Sequence, residues 1–282
     1  MVKIKIIPLL LFCCFITLLP SGMQGQYYYK DLVGVEQSNR QLKSYKTARI
    51  KKVILQSLEP DGSPTPGFVC FQECNPSFTS LKTYTTGTST PPSVLSSSFN
   101  YKGQLVRTAD STGSSLHVTT YAYNAEGLPE VAEALITGAS LPAPLRERHV
   151  WQFKNGVPVQ MWNVKNNRDT LVVKFEVSPA GQVEEESWWK NGVLQERYYY
   201  YYDAQGRLTD LVRYNQRARR LLPDFMFEYD AEGRLTKLVS VDGRTGDYVT
   251  WTYTYNEKGL RSRDQCHNKQ KQLVGTIVYT YE

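Results

Sequence analysis

Five side chains of types that bind ligands occur close together in the sequence: Glu186, Trp188, Arg197, Tyr199 and Tyr201. Aromatic rings offer a flat apolar face to a sugar ring or a peptide. A carboxylate and a guanidinium beside such rings can orient the bound molecule by hydrogen bonds. We predict that the five residues form one exposed binding surface. The alternative is that another part of the chain, or a partner, covers them and uses them for packing.

The grouping of these side chains on one face depends on a hairpin that we predict at Asn191-Gly192. This dipeptide is a strong signal for a two-residue turn between antiparallel strands. With uninterrupted pairing, Trp189 faces Leu194, and Glu186 faces Arg197 as an opposite-charge pair. We therefore expect all five residues on the face of the sheet that is exposed to solvent.

The strands that carry the predicted surface belong to a repeat. The segment YYYYYDAQGRL at 198–208 recurs as FMFEYDAEGRL at 225–235 and as WTYTYNEKGL from Trp251. Equivalent positions are 24 to 30 residues apart, with a period of about 26, and they fall at Phe99, Tyr123, Phe153, Val177, Tyr202, Tyr229, Tyr255 and Tyr281. This period is shorter than the ~40 residues of a propeller blade, so it indicates a different repeat architecture.

Each repeat has the pattern of two antiparallel strands joined by a turn. Tyr198, Tyr200 and Tyr202 alternate with other residues, as side chains on one face of a half-buried strand do. The Asp-x-x-Gly that follows is typical of a type I turn with a left-handed glycine. Tyr199 and Tyr201 fall on the opposite face, where other copies place Thr, Lys or Glu. We predict an all-β fold, an antiparallel meander of about fourteen strands in a twisted or curled open sheet.

The repeats resemble a known family. YYDAQGRLTDLV and EYDAEGRLTKLV are similar to YD (Rhs-type) repeats, and YNAEGL and YNEKGL are looser copies, so that the resemblance covers residues 97–282. It implies long antiparallel sheets that curl into shells or spirals, and residence in the cell envelope or outside the cell. It transfers no activity to this chain. We expect a small exported bacterial member of the family without a toxin domain.

The first residues predict export. Lys3 and Lys5 precede an apolar run, and small residues up to Gly25 suit a cleavage site. We predict a signal peptide at 1–25, an N-terminal cap or small subdomain at 26–95, and the repeat domain at 96–282. The mature protein would then lie in the periplasm, on the outer surface or in the medium, with no membrane span left after cleavage.

Composition and charge exclude several classes of function. The net charge of +6 falls to +4 without the two signal lysines and is spread along the 282 residues, so we expect no nucleic-acid partner. Each turn supplies one carboxylate, whereas calcium takes about six or more oxygens, so we expect no metal and no cofactor. The three histidines have no catalytic spacing, so we expect no enzymatic activity.

Three cysteines would remain after signal cleavage, at Cys70, Cys74 and Cys266. Export favours their oxidation, but an odd number leaves at least one thiol without a partner in the same chain. Cys70 and Cys74 can form a disulfide only if the chain turns between them, because four residues along a strand span about 13 Å. The pairing stays open.

These observations predict an exported, non-enzymatic repeat protein of the cell envelope. In this interpretation it binds a glycan or a protein through the predicted surface, and the partner is an envelope polysaccharide or another envelope protein. The alternative is a structural or assembly component of an envelope or secretion complex, in which the aromatic face is an interface. A degraded hydrolase is a third hypothesis.

Overall fold

A computed structural model describes residues 28–282 of the chain, except 89, 140, 216–217 and 244. The predicted signal peptide at 1–25 lies outside the described residues. The described part begins with one helix, α1 (Lys30–Ala48), and continues with eighteen strands. The strands are β1 (Lys52–Leu58), β2 (Val69–Cys74), β3 (Ser80–Gly87), β4 (Thr90–Phe99), β5 (Leu105–Thr112), β6 (Ser115–Tyr123), β7 (Pro129–Gly138), β8 (Leu145–Lys154), β9 (Val157–Lys165), β10 (Asp169–Val177), β11 (Val183–Lys190), β12 (Val193–Tyr202), β13 (Leu208–Asn215), β14 (Arg220–Tyr229), β15 (Leu235–Val241), β16 (Tyr248–Tyr255), β17 (Arg261–Asn268) and β18 (Leu273–Tyr281).

The eighteen strands form one closed antiparallel barrel. Each strand pairs with the next along the chain, and β18 pairs with β1, with Tyr281 opposite Val53. The carbonyl of Glu282 accepts the backbone N–H groups of Lys51 and Lys52 at 2.7 and 3.0 Å and secures this seam. The predicted antiparallel meander is confirmed, but the predicted open sheet is wrong. Closure pairs the two strand edges that an open sheet would leave exposed.

The segment 26–95, which we predict as an N-terminal cap, supplies α1, the strands β1 to β3 and the first part of β4. Strands β1 to β4 are continuous with the rest of the sheet, which is why the barrel has more strands than the repeats alone predict. The cysteines of the described residues, Cys70, Cys74 and Cys266, are free thiols.

Helix α1 crosses the interior of the barrel. Near its end, the hydroxyl of Tyr45 donates to Gln72 of β2 at 2.9 Å, and Asn39 accepts the backbone N–H of Leu105 in β5 at 2.8 Å. Just before its start, the backbone of Tyr29 contacts Glu186 of β11. A helix that reaches inward side chains so far apart around a closed sheet must lie inside it. Within the described residues, no helix has the length and apolar content needed to cross a membrane.

The repeat motif has a direct structural explanation at each turn. In the copy that follows Tyr202, Asp203 accepts the backbone N–H groups of Gln205 and Arg207 at 3.0 and 2.9 Å, and its second carboxylate oxygen accepts the Nε–H of Arg207 at 2.7 Å. Gly206 has a φ of 77°, in the left-handed region that favours glycine. The Asp therefore caps the turn, and the Gly permits its backbone.

The motif tyrosines connect successive repeats. Each hydroxyl donates to the backbone carbonyl of the residue two positions after the glycine of an earlier turn, at 2.6 to 2.9 Å. The pairs are Tyr123 with Leu105, Tyr202 with Val183, Tyr229 with Leu208, Tyr255 with Leu235, and Tyr281 with Arg261. Phe99, Phe153 and Val177 occupy equivalent positions without a hydroxyl. The tyrosine thus supplies both an inward ring and a bond between repeats.

The two ends of the barrel differ in their connections. Because neighbouring strands are antiparallel, loops after even-numbered strands lie at one end and loops after odd-numbered strands lie at the other. The Asp-x-x-Gly turns all follow even-numbered strands, and we call this end the turn rim. The loops after odd-numbered strands, which include Asn191-Gly192, form the hairpin rim.

Candidate functional site

The hairpin of β11 and β12 forms as predicted, but its pairing is interrupted. Trp189 lies opposite Leu194 across the Asn191-Gly192 turn. A β-bulge follows between Trp188 and Trp189, so that Trp188 lies opposite Glu196. The bulge adds one residue to β12 and so shifts the pairing by one. Beyond the bulge, each residue of β11 lies opposite a residue that uninterrupted pairing would place on the other face of the sheet.

The bulge divides the five predicted site residues between the two faces of the sheet. Glu186 lies opposite Tyr198 rather than Arg197, and its side chain is 0% exposed inside the barrel. Trp188 also points inward, with its ring centroid 5.2 Å from that of Tyr198. The prediction that Glu186 and Trp188 belong to an exposed surface is therefore wrong. Arg197, Tyr199 and Tyr201 remain together on the outer face.

The outer face of β11 and β12 carries an aromatic and charged group of residues. Tyr199 lies opposite Glu185, and the guanidinium of Arg197 forms an ion pair with that carboxylate, with Nε 3.0 Å from Oε1. The hydrogen bond that Arg197 donates to the Tyr199 hydroxyl raises the pKa of Arg197, and so does the charge of Glu185. Tyr201 is 48% exposed. With Trp189, these residues form what we call the outer strip: Glu185, Trp189, Arg197, Tyr199 and Tyr201.

A shallow depression of about 370 Å³ adjoins the outer strip at the hairpin rim. Its lining includes Thr170, Val172, Lys174, Trp189 and the Asn191-Gly192 turn. The ammonium group of Lys174 lies 5.2 Å from the centroid of a Trp189 ring, which is the range of a cation–π contact. The depression therefore combines an apolar floor with hydrogen-bonding groups at its edge.

Glu186 binds the start of the helix from the inner face of the barrel. Its carboxylate accepts the backbone N–H groups of Tyr28 and Tyr29 at 2.7 and 3.0 Å, Trp188 Nε1 at 2.6 Å and the Tyr200 hydroxyl at 2.7 Å. Tyr29 is the N-cap residue of α1 and has no side-chain cap of its own. A carboxylate at this end also interacts favourably with the helix dipole. Glu186 is thus a cap supplied by the barrel wall.

Burial shifts the pKa of Glu186 upward. Desolvation raises the pKa of this carboxyl, and the hydrogen bonds from Tyr200, the Tyr28 backbone and Trp188 lower it in part. The four donors satisfy both carboxylate oxygens, so none of the bonds requires a counter-charge. The arrangement holds the N-terminal segment in place.

A second inward cluster holds α1 beside Glu186. His149 of β8 lies between two carboxylates, with Nδ1 2.5 Å from Asp31 and Nε2 3.2 Å from Glu147. Burial lowers the pKa of His149, but the two carboxylates outweigh burial and raise it to about 9. Burial raises the pKa of Glu147, but His149 and Lys165 outweigh burial and lower it to about 2. Asn163 joins the cluster by donating to Glu147 at 2.6 Å.

The chemistry of the cluster is that of a structural ion pair. Both ring nitrogens of His149 are engaged by carboxylates, so neither is open to accept a proton from a substrate. In the part of the chain that the structure describes, no group of three or more His, Cys, Asp or Glu side chains is arranged to hold a metal ion. The sequence offered no local signal for this cluster, because Asp31 and His149 are 118 residues apart.

Comparison with known proteins identifies the repeat. Residues 202–245 match the family model of the RHS Repeat. The predicted resemblance to YD (Rhs-type) repeats is therefore confirmed. The search of curated proteins finds no match to the chain.

Solved structures that are similar to this chain include a porin-like protein from Bacteroides uniformis, at 13% identity and a TM-score of 0.41, over 83% of this chain and 96% of that chain. The Tc holotoxin pore of Photorhabdus luminescens is similar at 11% identity and a TM-score of 0.34, over 77% of this chain. This chain spans 12% of that toxin chain.

Proposed function

We propose that this chain, an RHS repeat protein, is an exported and non-enzymatic component of the cell envelope that binds a surface polysaccharide through the outer strip. One observation carries the proposal. Tyr199 and Tyr201 are aromatic and face outward, whereas the equivalent outward positions of the next two repeats hold Met226 with Glu228 and a pair of threonines. The repeat architecture does not require aromatic residues there, so they serve another purpose.

The charges around the outer strip favour an uncharged polysaccharide. Arg197 is neutralised by Glu185, and Lys190 at the hairpin turn forms an ion pair with Asp169 at 2.9 Å. The surface therefore offers aromatic faces and charged groups whose charges are balanced by ion pairs, so it has no strong excess of positive or negative charge. Sugar rings stack their apolar C–H faces on such aromatic groups, while their hydroxyls bond to the polar neighbours.

Affinity electrophoresis in gels that contain envelope polysaccharide tests this function. The Tyr199→Ser, Tyr201→Ser double variant should migrate as freely in the presence of polysaccharide as in its absence, while the wild-type protein is retarded. The matched control is Tyr101→Ser, because Tyr101 is 90% exposed at the turn rim, outside the outer strip. Retardation of the double variant to the same extent as the wild-type protein would exclude the outer strip as the binding site.

Export is part of the proposal and rests on the signal peptide predicted at 1–25 and on the RHS repeat. Cell fractionation followed by N-terminal sequencing tests it. The expected product begins at Gln26 and is found outside the cytoplasm. A cytoplasmic protein that begins at Met1 contradicts it.

A second candidate function, assembly within an envelope complex, is favoured by an apolar row on the outer face. Val131, Val150, Trp162, Val172, Trp189 and Leu194 are consecutive cross-strand partners from β7 to β12. A photo-crosslinking amino acid at Trp162 tests this function in cells. One defined adduct at Trp162, absent when the same group replaces Tyr101, supports assembly.

A further inference from the structure

Exposed apolar side chains are concentrated at one end of the barrel. Ten large hydrophobic side chains among the described residues are exposed. Seven of them belong to the hairpin rim, where each is within the first or last two residues of a strand that meets an odd-numbered loop. These are Val69, Leu116, Leu145, Val193, Leu194, Tyr214 and Leu221. Folding therefore leaves these seven apolar side chains, which we call the apolar tips, partly exposed at this rim.

Basic side chains accompany the apolar ones along half of the same rim. This half of the hairpin rim comprises the odd-numbered loops from β5–β6 to β13–β14, together with the two strand residues on each side of every loop. Among their described residues, six are basic and Asp169 is the single acid. The basic residues are Arg146, Lys165, Arg168, Lys190, Arg219 and Arg220. Arg168, Arg219 and Arg220 are exposed, and no ion pair joins any of the three to a described carboxylate.

The turn rim shows the opposite arrangement. The arginines of its two Asp-x-x-Gly turns are neutralised within their own turns, Arg207 by Asp203 and Arg234 by Asp230, each with an Nε to Oδ2 distance of 2.7 Å. By the same count, the turn rim has two exposed large hydrophobic residues among the described residues, Tyr101 and Tyr201. The uncompensated charge and apolar tips at the hairpin rim therefore do not follow from the repeat itself.

We propose that the hairpin rim docks on the surface of an anionic lipid bilayer. Basic residues are attracted to the negative potential of such a surface, and nearby aliphatic side chains enter the boundary between headgroups and acyl chains. Six of the seven exposed apolar residues, from Leu116 of β6 to Leu221 of β14, lie along the basic half of this rim, and the end of a cylinder can meet a plane over that whole extent. A pocket or cleft on a protein would contact only a few neighbouring tips.

The hairpin rim and the outer strip would bind chemically different partners. The outer strip has compensated charge, whereas the hairpin rim has an excess of positive charge and projecting aliphatic residues. Docking by this rim leaves Tyr199 and Tyr201 on the side of the barrel, free to bind another component. The proposal therefore stands whether or not the outer strip binds polysaccharide.

Vesicle flotation tests the proposal with the full mature chain. The protein should float with vesicles that contain phosphatidylglycerol in phosphatidylcholine, and binding to phosphatidylcholine alone should be much weaker. The Arg168→Gln, Arg220→Gln double variant should bind anionic vesicles about thirtyfold more weakly, because each basic residue near such a surface contributes about 1 kcal/mol. Lys102→Gln with Lys258→Gln makes the same charge change at the turn rim and should leave vesicle binding unchanged.

A second variant distinguishes a bilayer from a soluble polyanion or an acidic protein. Leu145→Ser with Leu221→Ser retains every charge but removes two apolar tips, and it should weaken vesicle binding while leaving binding to dextran sulfate unchanged. Circular dichroism and thermal melting verify that each variant is folded. Failure of the wild-type protein to float with anionic vesicles would overturn the proposal. It would also be overturned if the serine variant bound vesicles like the wild-type protein, since charge alone would then explain binding.

Discussion

Glu185 and Glu186 are neighbours in β11, but the structure uses the two carboxylates in opposite ways. Glu185 points outward and forms a partly exposed ion pair with Arg197. Glu186 points inward, is fully buried, and accepts hydrogen bonds from four N–H and O–H donors. The difference teaches that the face of the strand, rather than the residue type, decides whether a group is structural or available for binding.

The tyrosines of β12 repeat this comparison. Tyr198 and Tyr200 are 0% and 3% exposed and pack inside the barrel, while Tyr199 and Tyr201 lie on the outer face between them. Most of the buried contacts that stabilise such a sheet lie on its inner face, because the outer face is exposed to solvent. We therefore expect substitutions on the inner face to change stability and substitutions on the outer face to change binding.

The largest expected difference is between the two glutamates. Glu186→Gln places an amide donor among four donors and should lower the free energy of unfolding by on the order of 4 kcal/mol, because buried donors lose their acceptor oxygen. Glu185→Gln should cost less than about 1 kcal/mol, as expected for a partly exposed ion pair. Urea unfolding followed by tryptophan fluorescence measures both. Equal losses of unfolding free energy in both variants would show that the two glutamates do not differ in structural role.

The ion pair of His149 should give a pH-dependent stability. Its pKa is raised to about 9 in the folded protein, so its contribution is complete below the unfolded value of about 6.5 and is lost as pH rises through 9. His149→Gln should therefore destabilise the protein by about 2 kcal/mol at pH 6 and have little effect near pH 10. Melting temperatures of both proteins across this range provide the test. A constant difference would show that His149 acts by packing alone.

The hydroxyl bonds between repeats should each make a moderate contribution. Tyr229→Phe removes the bond to the Leu208 carbonyl and should destabilise the protein by about 1 kcal/mol. Tyr201→Phe removes a hydroxyl from the exposed outer face and should have no measurable effect on the midpoint of urea unfolding. If both variants behave alike, the inter-repeat bond is not a source of stability.

The double variant of the outer strip should change stability only slightly. Tyr199→Ser with Tyr201→Ser loses cross-strand contacts to Val212 and Asp210, which contribute less than about 1 kcal/mol each on an exposed face. Differential scanning calorimetry should show a melting temperature close to that of the wild-type protein. A loss comparable with that of Glu186→Gln would assign these tyrosines to packing, which is the alternative raised from the sequence.

Local features of the fold were predictable because short-range chemistry determines them. The Asp-x-x-Gly turns follow from Asp capping and from a left-handed glycine, and the inward Tyr198 and Tyr200 follow from a period of two. The turn at Asn191-Gly192 follows from the conformations that Asn and Gly adopt with positive φ.

Features that depend on distant or irregular contacts were not predictable. The bulge beside Trp188 has no distinctive residue, yet it moves Glu186 and Trp188 to the inner face. The partners of Glu186 on the N-terminal segment are 158 and 157 residues away. A buried glutamate next to an outward one has the same sequence signature as two exposed glutamates, so only the three-dimensional structure separates their roles.

The seam between β1 and β18 also has a consequence for how the chain folds. Val53 and Tyr281 must find each other across nearly the whole sequence, and loop-closure entropy makes such a pairing a late and slow step. Helix α1 must already be inside when the ring closes, because closed strands leave no lateral entrance. Before that step, both terminal strands present unpaired edges that can join other chains. The interval before closure is therefore the period in which the protein is most exposed to misassembly.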